Sequence, residues 1–246
     1  MTAASSLPLF YQRPRPLRAD SDKGMSLSSV PNFGFAAGAN ILPMIAAEMA
    51  VACRYYPILF TSTPNPQLVA LVGLRPNENL FVEADGSWAS GFYIPAYVRR
   101  YPFIFMESQD KSQLTLCIDE ASSSFIKGRK NPVFDKDGGL TEVTKTAVAF
   151  CRDYQTHHQS TTDFVEALVA ADLLVDHRAD VTMADGQKMG LTGFKIIDEA
   201  RYNALPDAEF LRWRSLGWLN GVTCHFVSTG NWQTLVDRTS SRMKSA

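Results

Sequence analysis

Nine side chains between positions 48 and 101 combine arginine forks with rigid aromatic faces: Glu48, Arg54, Tyr56, Trp88, Tyr93, Tyr97, Arg99, Arg100 and Tyr101. Arginine presents planar donors that match a carboxylate, and tyrosine and tryptophan present stacking area with a polar tip. Together they suit recognition of a carboxylate, a peptide or a sugar. The same residues also have a structural reading, in which Arg54 and Arg100 complement the C-terminal ends of helices while the tyrosines fill a core. Both readings stand on the residues alone.

Other chemistry has less to stand on. Asp153 and His157 are four apart, the helical spacing of two metal ligands, but no third ligand is near in sequence, and a polar helix end with His157 and His158 near its C-terminal dipole is the simpler reading. His225, beside Cys224 in an apolar run, reads as a hydrogen-bonded core histidine. The segment Asp135-Lys136-Asp137-Gly138-Gly139 has the wrong glycine position for a calcium loop, and Thr146 stands where such a loop needs glutamate, so it reads as a turn. No nucleophile elbow, phosphate loop, dinucleotide fingerprint or zinc-protease motif occurs. No catalytic residue is therefore assigned, and neither a metal nor a cofactor is expected.

The elements that must position the cluster repeat one pattern. An apolar, helix-like run closes on Arg-Tyr, then a proline, then a short apolar strand: Met44–Tyr56, Pro57, Ile58–Phe60, and again Ile94–Tyr101, Pro102, Phe103–Phe105. Proline disfavours helix in the residue before it, so each Tyr-Pro step is a helix exit. Between the copies, Leu68–Leu74 reads as a central strand and Asn79–Val82 as a strand entering the Asp85-Gly86 turn. If the two junctions pack side by side, Arg54 and Arg100 are expected to share Glu48 or another acid.

The words Arg-Tyr-Tyr-Pro-Ile-Leu-Phe (54–60), Ala-Leu-Val-Gly-Leu (70–74), Glu-Asn-Leu-Phe-Val (78–82), Asp-Gly-Ser-Trp (85–88) and Tyr-Ile-Pro-Ala-Tyr-Val-Arg-Arg-Tyr-Pro-Phe (93–103) resemble bacterial SapC-family proteins in order and spacing. A looser likeness continues through Gly190-Leu191 to Glu199 and the Leu211–Leu235 tail. The resemblance implies an association with the bacterial surface (S-) layer and brings no catalytic motif. It is distinct from a peptide-transporter permease of the same name.

Elsewhere, Leu7–Tyr11 reads as a strand or docking arm, Arg13–Pro16 as extended chain, Phe33 and Phe35 as strand residues, and Pro43 as an early helical residue. Leu114, Leu116 and Ile118 alternate as in a half-buried strand. Thr141 caps a helix to about His158 whose inner face is Val143, Ala147, Phe150 and Tyr154, and Thr162 starts another over Asp163–Leu174. Arg178–Met183 and Leu191–Ile197 form a hairpin around Asp185-Gly186, followed by helices over Asp198–Leu205, Asp207–Gly217 and Asn231–Met243. Trp213, Trp218, Phe226 and Trp232 must bury against something. The expected fold is α+β, one domain over residues 1–246, with a mostly antiparallel sheet and helices at its rim in residues 7–135 and a helix-rich part with a β-hairpin in residues 140–243.

A net charge of -1 over 246 residues gives no general basic field, so nucleic acid is a poor partner. The longest apolar stretch, Ile41–Cys53, is interrupted by Pro43 and Glu48 and falls short of the about 20 residues of a membrane span. Met1–Phe10 lacks the basic start of a signal peptide, and the scattered Cys53, Cys117, Cys151 and Cys224 suit reduced thiols, so a cytoplasmic location is expected. Two function classes follow: a non-catalytic binding or assembly protein with a protein or peptide partner, linked to the envelope by the resemblance, or an enzyme or accessory subunit acting on a peptide or sugar.

Overall fold

The computed structural model describes residues 7–107, 113–128, 130–183, 186 and 188–245. Its first half carries β1 (Pro14–Pro16), α1 (Ala19–Asp22), β2 (Met25–Leu27), β3 (Ile41–Pro43), α2 (Met49–Ala52), β4 (Ile58–Thr61), β5 (Leu68–Leu71), α3 (Ala96–Arg99), β6 (Phe103–Glu107), β7 (Leu114–Asp119) and β8 (Phe125–Lys127). The second half carries α4 (Glu142–Ala170), β9 (Leu174–Thr182), β10 (Lys188–Ile197), α5 (Glu199–Asn203), α6 (Asp207–Leu216), α7 (Trp218–Ser228) and α8 (Trp232–Ser245). The fold is α+β, and all its sheets are antiparallel.

Five strands in the order β3-β5-β4-β10-β9 form the largest sheet. Every residue of β5 is buried, as its unbroken Leu-Val-Ala-Leu demands. The β9–β10 hairpin joins β4 through Phe194 opposite Thr61 and Lys195 opposite Phe60, so this sheet is built from both halves of the chain. Around it lies the main core, with Tyr56, Phe60, Phe81, Phe164 and Trp213 fully buried. A second sheet has the order β1-β7-β6. Here the Pro14-Arg15-Pro16 run is an edge strand, the position in a sheet that tolerates proline.

The Tyr-Pro junctions stand, but their helices are short. The first copy is a 3-10 turn at Ala46–Glu48 followed by the four-residue α2, and the second is the four-residue α3. Pro43 ends β3 rather than opening a helix. Phe33 and Phe35 lie around a 3-10 turn at Gly34–Ala36 instead of in a strand, because Asn32 Oδ1 takes the Gly34 N–H locally. Asn79–Val82 forms no strand: Asn79 Oδ1 accepts from Phe81 N, and the segment meets Trp88 through one isolated bridge at Val82. Leu7–Tyr11 is an arm, not a strand, pinned where buried Tyr11 donates its hydroxyl to the Phe103 carbonyl at 2.7 Å.

The two helices expected over 141–174 are one. Ser160, Thr161 and Thr162 donate their hydroxyls back to the carbonyls of Thr156, His157 and His158, so these polar residues continue the helix instead of capping a new one. The buried face of α4 runs through Thr144, Cys151, Tyr154, Thr161, Phe164 and Leu168. Val143, expected inside, is 41% exposed. The chain after Leu173 enters β9, and both hairpin strands are longer than expected, with Gly186 at φ 85 in the connection and Asp185 outside the described residues. The helix α7 was not anticipated; Gly217, left-handed at φ 75, ends α6 and lets α7 follow at once.

Candidate functional site

The two Tyr-Pro units meet through Glu48. This buried carboxylate, 4% exposed, accepts hydrogen bonds from Ile45 N at 3.1 Å, Ala96 N at 2.7 Å and Tyr93 Oη at 2.9 Å. Pro95 precedes α3 and has no capping side chain, so Glu48 supplies from a distant turn the acceptor that the start of α3 needs. Burial pushes the Glu48 carboxyl above its ordinary range, against the pull of these donors and of the Arg99 charge. The expected sharing of Glu48 by Arg54 and Arg100 does not occur. Arg54 is exposed and lies over Tyr55, while Arg100 faces a different set of rings.

Arg99 and Arg100 fasten α3 to α4. Arg99 is 5.0 Å from the Phe150 ring centre and 5.4 Å from that of Tyr93, with Nε donating to the Ile94 carbonyl and Nη2 to Tyr93 Oη. Arg100 is 4.2 Å from the Tyr97 ring centre, 4.4 Å from Tyr154 and 5.8 Å from Tyr11. Phe150 and Tyr154 are one helical turn apart on α4, so adjacent arginines stack on adjacent turns. The Arg100 Nε is buried and has no hydrogen-bond partner among the described residues.

The remaining residues of the expected cluster serve the core. Tyr56 donates its hydroxyl to the Tyr93 carbonyl and accepts from Trp88 Nε1 at 3.3 Å. Tyr97 donates to the Leu9 carbonyl at 3.1 Å, holding the N-terminal arm. Tyr101 donates to Asp119 at 2.9 Å. The structure thus brings Glu48, Tyr93 and Arg99 into one network, reaches Tyr56 and Trp88 through the Tyr93 backbone, and sets Arg100 with Tyr97, Tyr101 with Asp119, and Arg54 apart.

Beside this cluster lies a larger feature that the sequence reading missed. A cleft of about 540 Å³ opens between α4 and the Pro64–Leu68 segment, walled by Pro43, Pro66, Leu68, Val165 and Val169, with His158, Thr162 and Glu166 at successive turns of α4. The volume lies within the range of ligand-binding clefts. Thr161 separates it from the Glu48 side, where its Oγ1 accepts from Ala46 N at 2.8 Å. The sequence signal was the stripe Thr161, Val165, Val169 facing a Pro-Asn-Pro turn, which separate helices at 141–158 and 163–174 had cut in two.

Asp153 and His157 both line a small pocket near Glu48, but no group of three His, Cys, Asp or Glu placed to hold a metal occurs among the described residues. His225 is the core histidine expected. Its Nε2 accepts from Ile197 N at 3.1 Å and Nδ1 faces the Ile58 carbonyl at 2.8 Å, while burial lowers its pKa to about 4. All four cysteines are free. No described helix is long and apolar enough to cross a membrane.

No curated protein and no solved structure matches the chain. The family model for SapC does, over residues 17–235, which takes in both Tyr-Pro units, the cleft and the hairpin. With that span matched, the chain belongs to the SapC family.

Proposed function

We propose that this SapC-family chain is a non-catalytic binding or assembly protein whose partner is a protein or peptide. The observation that carries the reading is the open cleft between α4 and Pro64–Leu68: its walls are mainly apolar, with polar groups spread over both sides, His158, Thr161, Thr162 and Glu166 on α4 and Asn65 and Gln67 across from them. Apolar walls with a polar rim suit side chains presented by a partner. The nearly neutral net charge supports a polypeptide over nucleic acid as that partner. The link to the cell envelope or surface layer rests on the family resemblance, and a cytoplasmic location rests on the scattered free thiols. In this reading Arg99 and Arg100, stacked on Phe150 and Tyr154, serve to hold α4, one wall of the cleft, in place.

Site-specific photo-crosslinking in the native organism tests this. A benzophenone side chain at Val169, on the cleft, is expected to give a discrete adduct with one polypeptide, and the same group at Val143, exposed elsewhere on α4, is not. Equal patterns from the two positions would count against the cleft.

A further inference from the structure

Across the Ala46–Thr161 contact from the cleft is a second, open pocket of about 260 Å³, bordered by the Ile45–Val51 segment, α3 and the middle of α4. Glu48 lines it from within the core. A carboxylate can accept about four hydrogen bonds. Glu48 accepts three, two at Oε2 and one at Oε1, so Oε1 keeps an acceptor position in a place where a buried charge needs one filled. On the same pocket, Arg99 has committed Nε to the Ile94 carbonyl and one N–H of Nη2 to Tyr93, leaving three of its five N–H groups. Phe150 and Tyr154 form an aromatic wall, and Asp153 adds an exposed carboxylate.

Spare acceptors on one side and spare donors on the other are complementary to a group that carries an ammonium next to a carbonyl oxygen. We propose that this pocket binds the α-ammonium end of an amino acid or peptide, with the ammonium on Glu48 and Asp153 and the neighbouring carbonyl or carboxylate oxygen on Arg99. Among the described residues no cation bonds the Glu48 oxygens directly, because Arg99 is turned to Tyr93 and Ile94 and acts on Glu48 only through its field; the ammonium supplies that direct contact. The volume is below that of drug-sized ligand sites, which limits the bound part to about one residue. A free amino acid and a peptide N-terminus share this chemistry. The inference does not depend on the cleft, and its failure leaves the cleft reading intact.

The test is saturation-transfer NMR on the full chain with L-alanine, L-alanyl-L-alanine and N-acetyl-L-alanine, each at about 10 mM, where a site of millimolar Kd is filled. At least one free-amine probe is expected to bind and the acetylated probe is not; the stronger of the two free amines identifies the source as amino acid or peptide end. Ala47→Phe changes an exposed wall residue and is expected to weaken binding at least about tenfold with an unchanged Tm, a test that holds even where Glu48→Gln fails to fold. Asp153→Asn, on the exposed face of α4, is expected to weaken it severalfold. Binding of the acetylated probe as strong as the free amines, binding that survives Ala47→Phe, or no binding by either free amine overturns the proposal.

Discussion

The Arg100 guanidinium lies between the rings of Tyr97 and Tyr154, 4.2 and 4.4 Å from their centres, and so ties α3 to α4 with a flat cation rather than an ion pair. Lysine keeps the charge but not the planar stack. Arg100→Lys is expected to cost about 1 kcal/mol, and Arg100→Ala, which also loses the packing of the stem, about 2–3 kcal/mol. Urea denaturation midpoints measure both. Stability unchanged in Arg100→Ala would show that the stack holds nothing.

His225 makes the fold sensitive to acid. The Ile58 carbonyl fixes the proton on Nδ1, leaving Nε2 to accept from Ile197 N, so a second proton breaks a buried hydrogen bond. The folded pKa of about 4 lies below the unfolded value of about 6.5, so the unfolded chain binds more protons between them and stability falls as pH drops through that window. The full contribution is about 3 kcal/mol. Denaturation midpoints at neutral pH and near pH 5 are expected to differ in the wild type and to converge in His225→Gln; an equal slope in the variant would assign the effect elsewhere.

Asp119 anchors the N-terminal arm. It is fully buried, which alone would raise its carboxyl, yet donors from Arg13 N, Gln12 N, Tyr101 Oη and Ala121 N hold it below the usual carboxylate range. Its stabilising effect is present above the unfolded pKa and is lost as pH falls through the folded one. Asp119→Ala orphans the Gln12 and Arg13 N–H groups and is expected to expose the arm, with chymotrypsin cutting after Phe10 or Tyr11 at least about tenfold faster than in the wild type. An unchanged cleavage rate would contradict this anchoring role.

Much of this architecture was legible where one local rule dominated. The apolar run Leu68–Leu74 carries the expected buried strand over Leu68–Leu71, and each Tyr-Pro step leads into its strand, although α2 and α3 already stop at Ala52 and Arg99. What escaped depended on long-range contacts. Nothing local says that Glu48 caps α3, because the acceptor lies 48 positions from Ala96. Thr162 resembled a helix start because its hydroxyl suits a cap, and only its bond to the His158 carbonyl shows it inside one. Splitting α4 there hid the continuous face on which the cleft is built. The Arg54–Arg100 pairing failed for the opposite reason: two similar sequence units do face each other, but through Glu48, Tyr93 and a backbone N–H rather than through the residues that looked most alike.

The thiols are expected to be free but protected. Burial pushes Cys151 and Cys224 up to about 11, so little reactive thiolate exists at neutral pH. Iodoacetamide is expected to label the native protein slowly and all four cysteines after denaturation without reductant. Fewer than four labelled sites would reveal a disulfide.

The most direct measurement of the central claim compares partner capture by the wild type, Val169→Arg and Val143→Arg, each at native expression level and quantified by mass spectrometry. Both valines are exposed on α4, at 47% and 41%, so neither change should disturb folding, but only Val169 lines the cleft. The expected result is a polypeptide retained by wild type and Val143→Arg and reduced at least about tenfold in Val169→Arg. Retention by Val169→Arg of every partner that the wild type holds would contradict the assignment of the cleft as the binding surface.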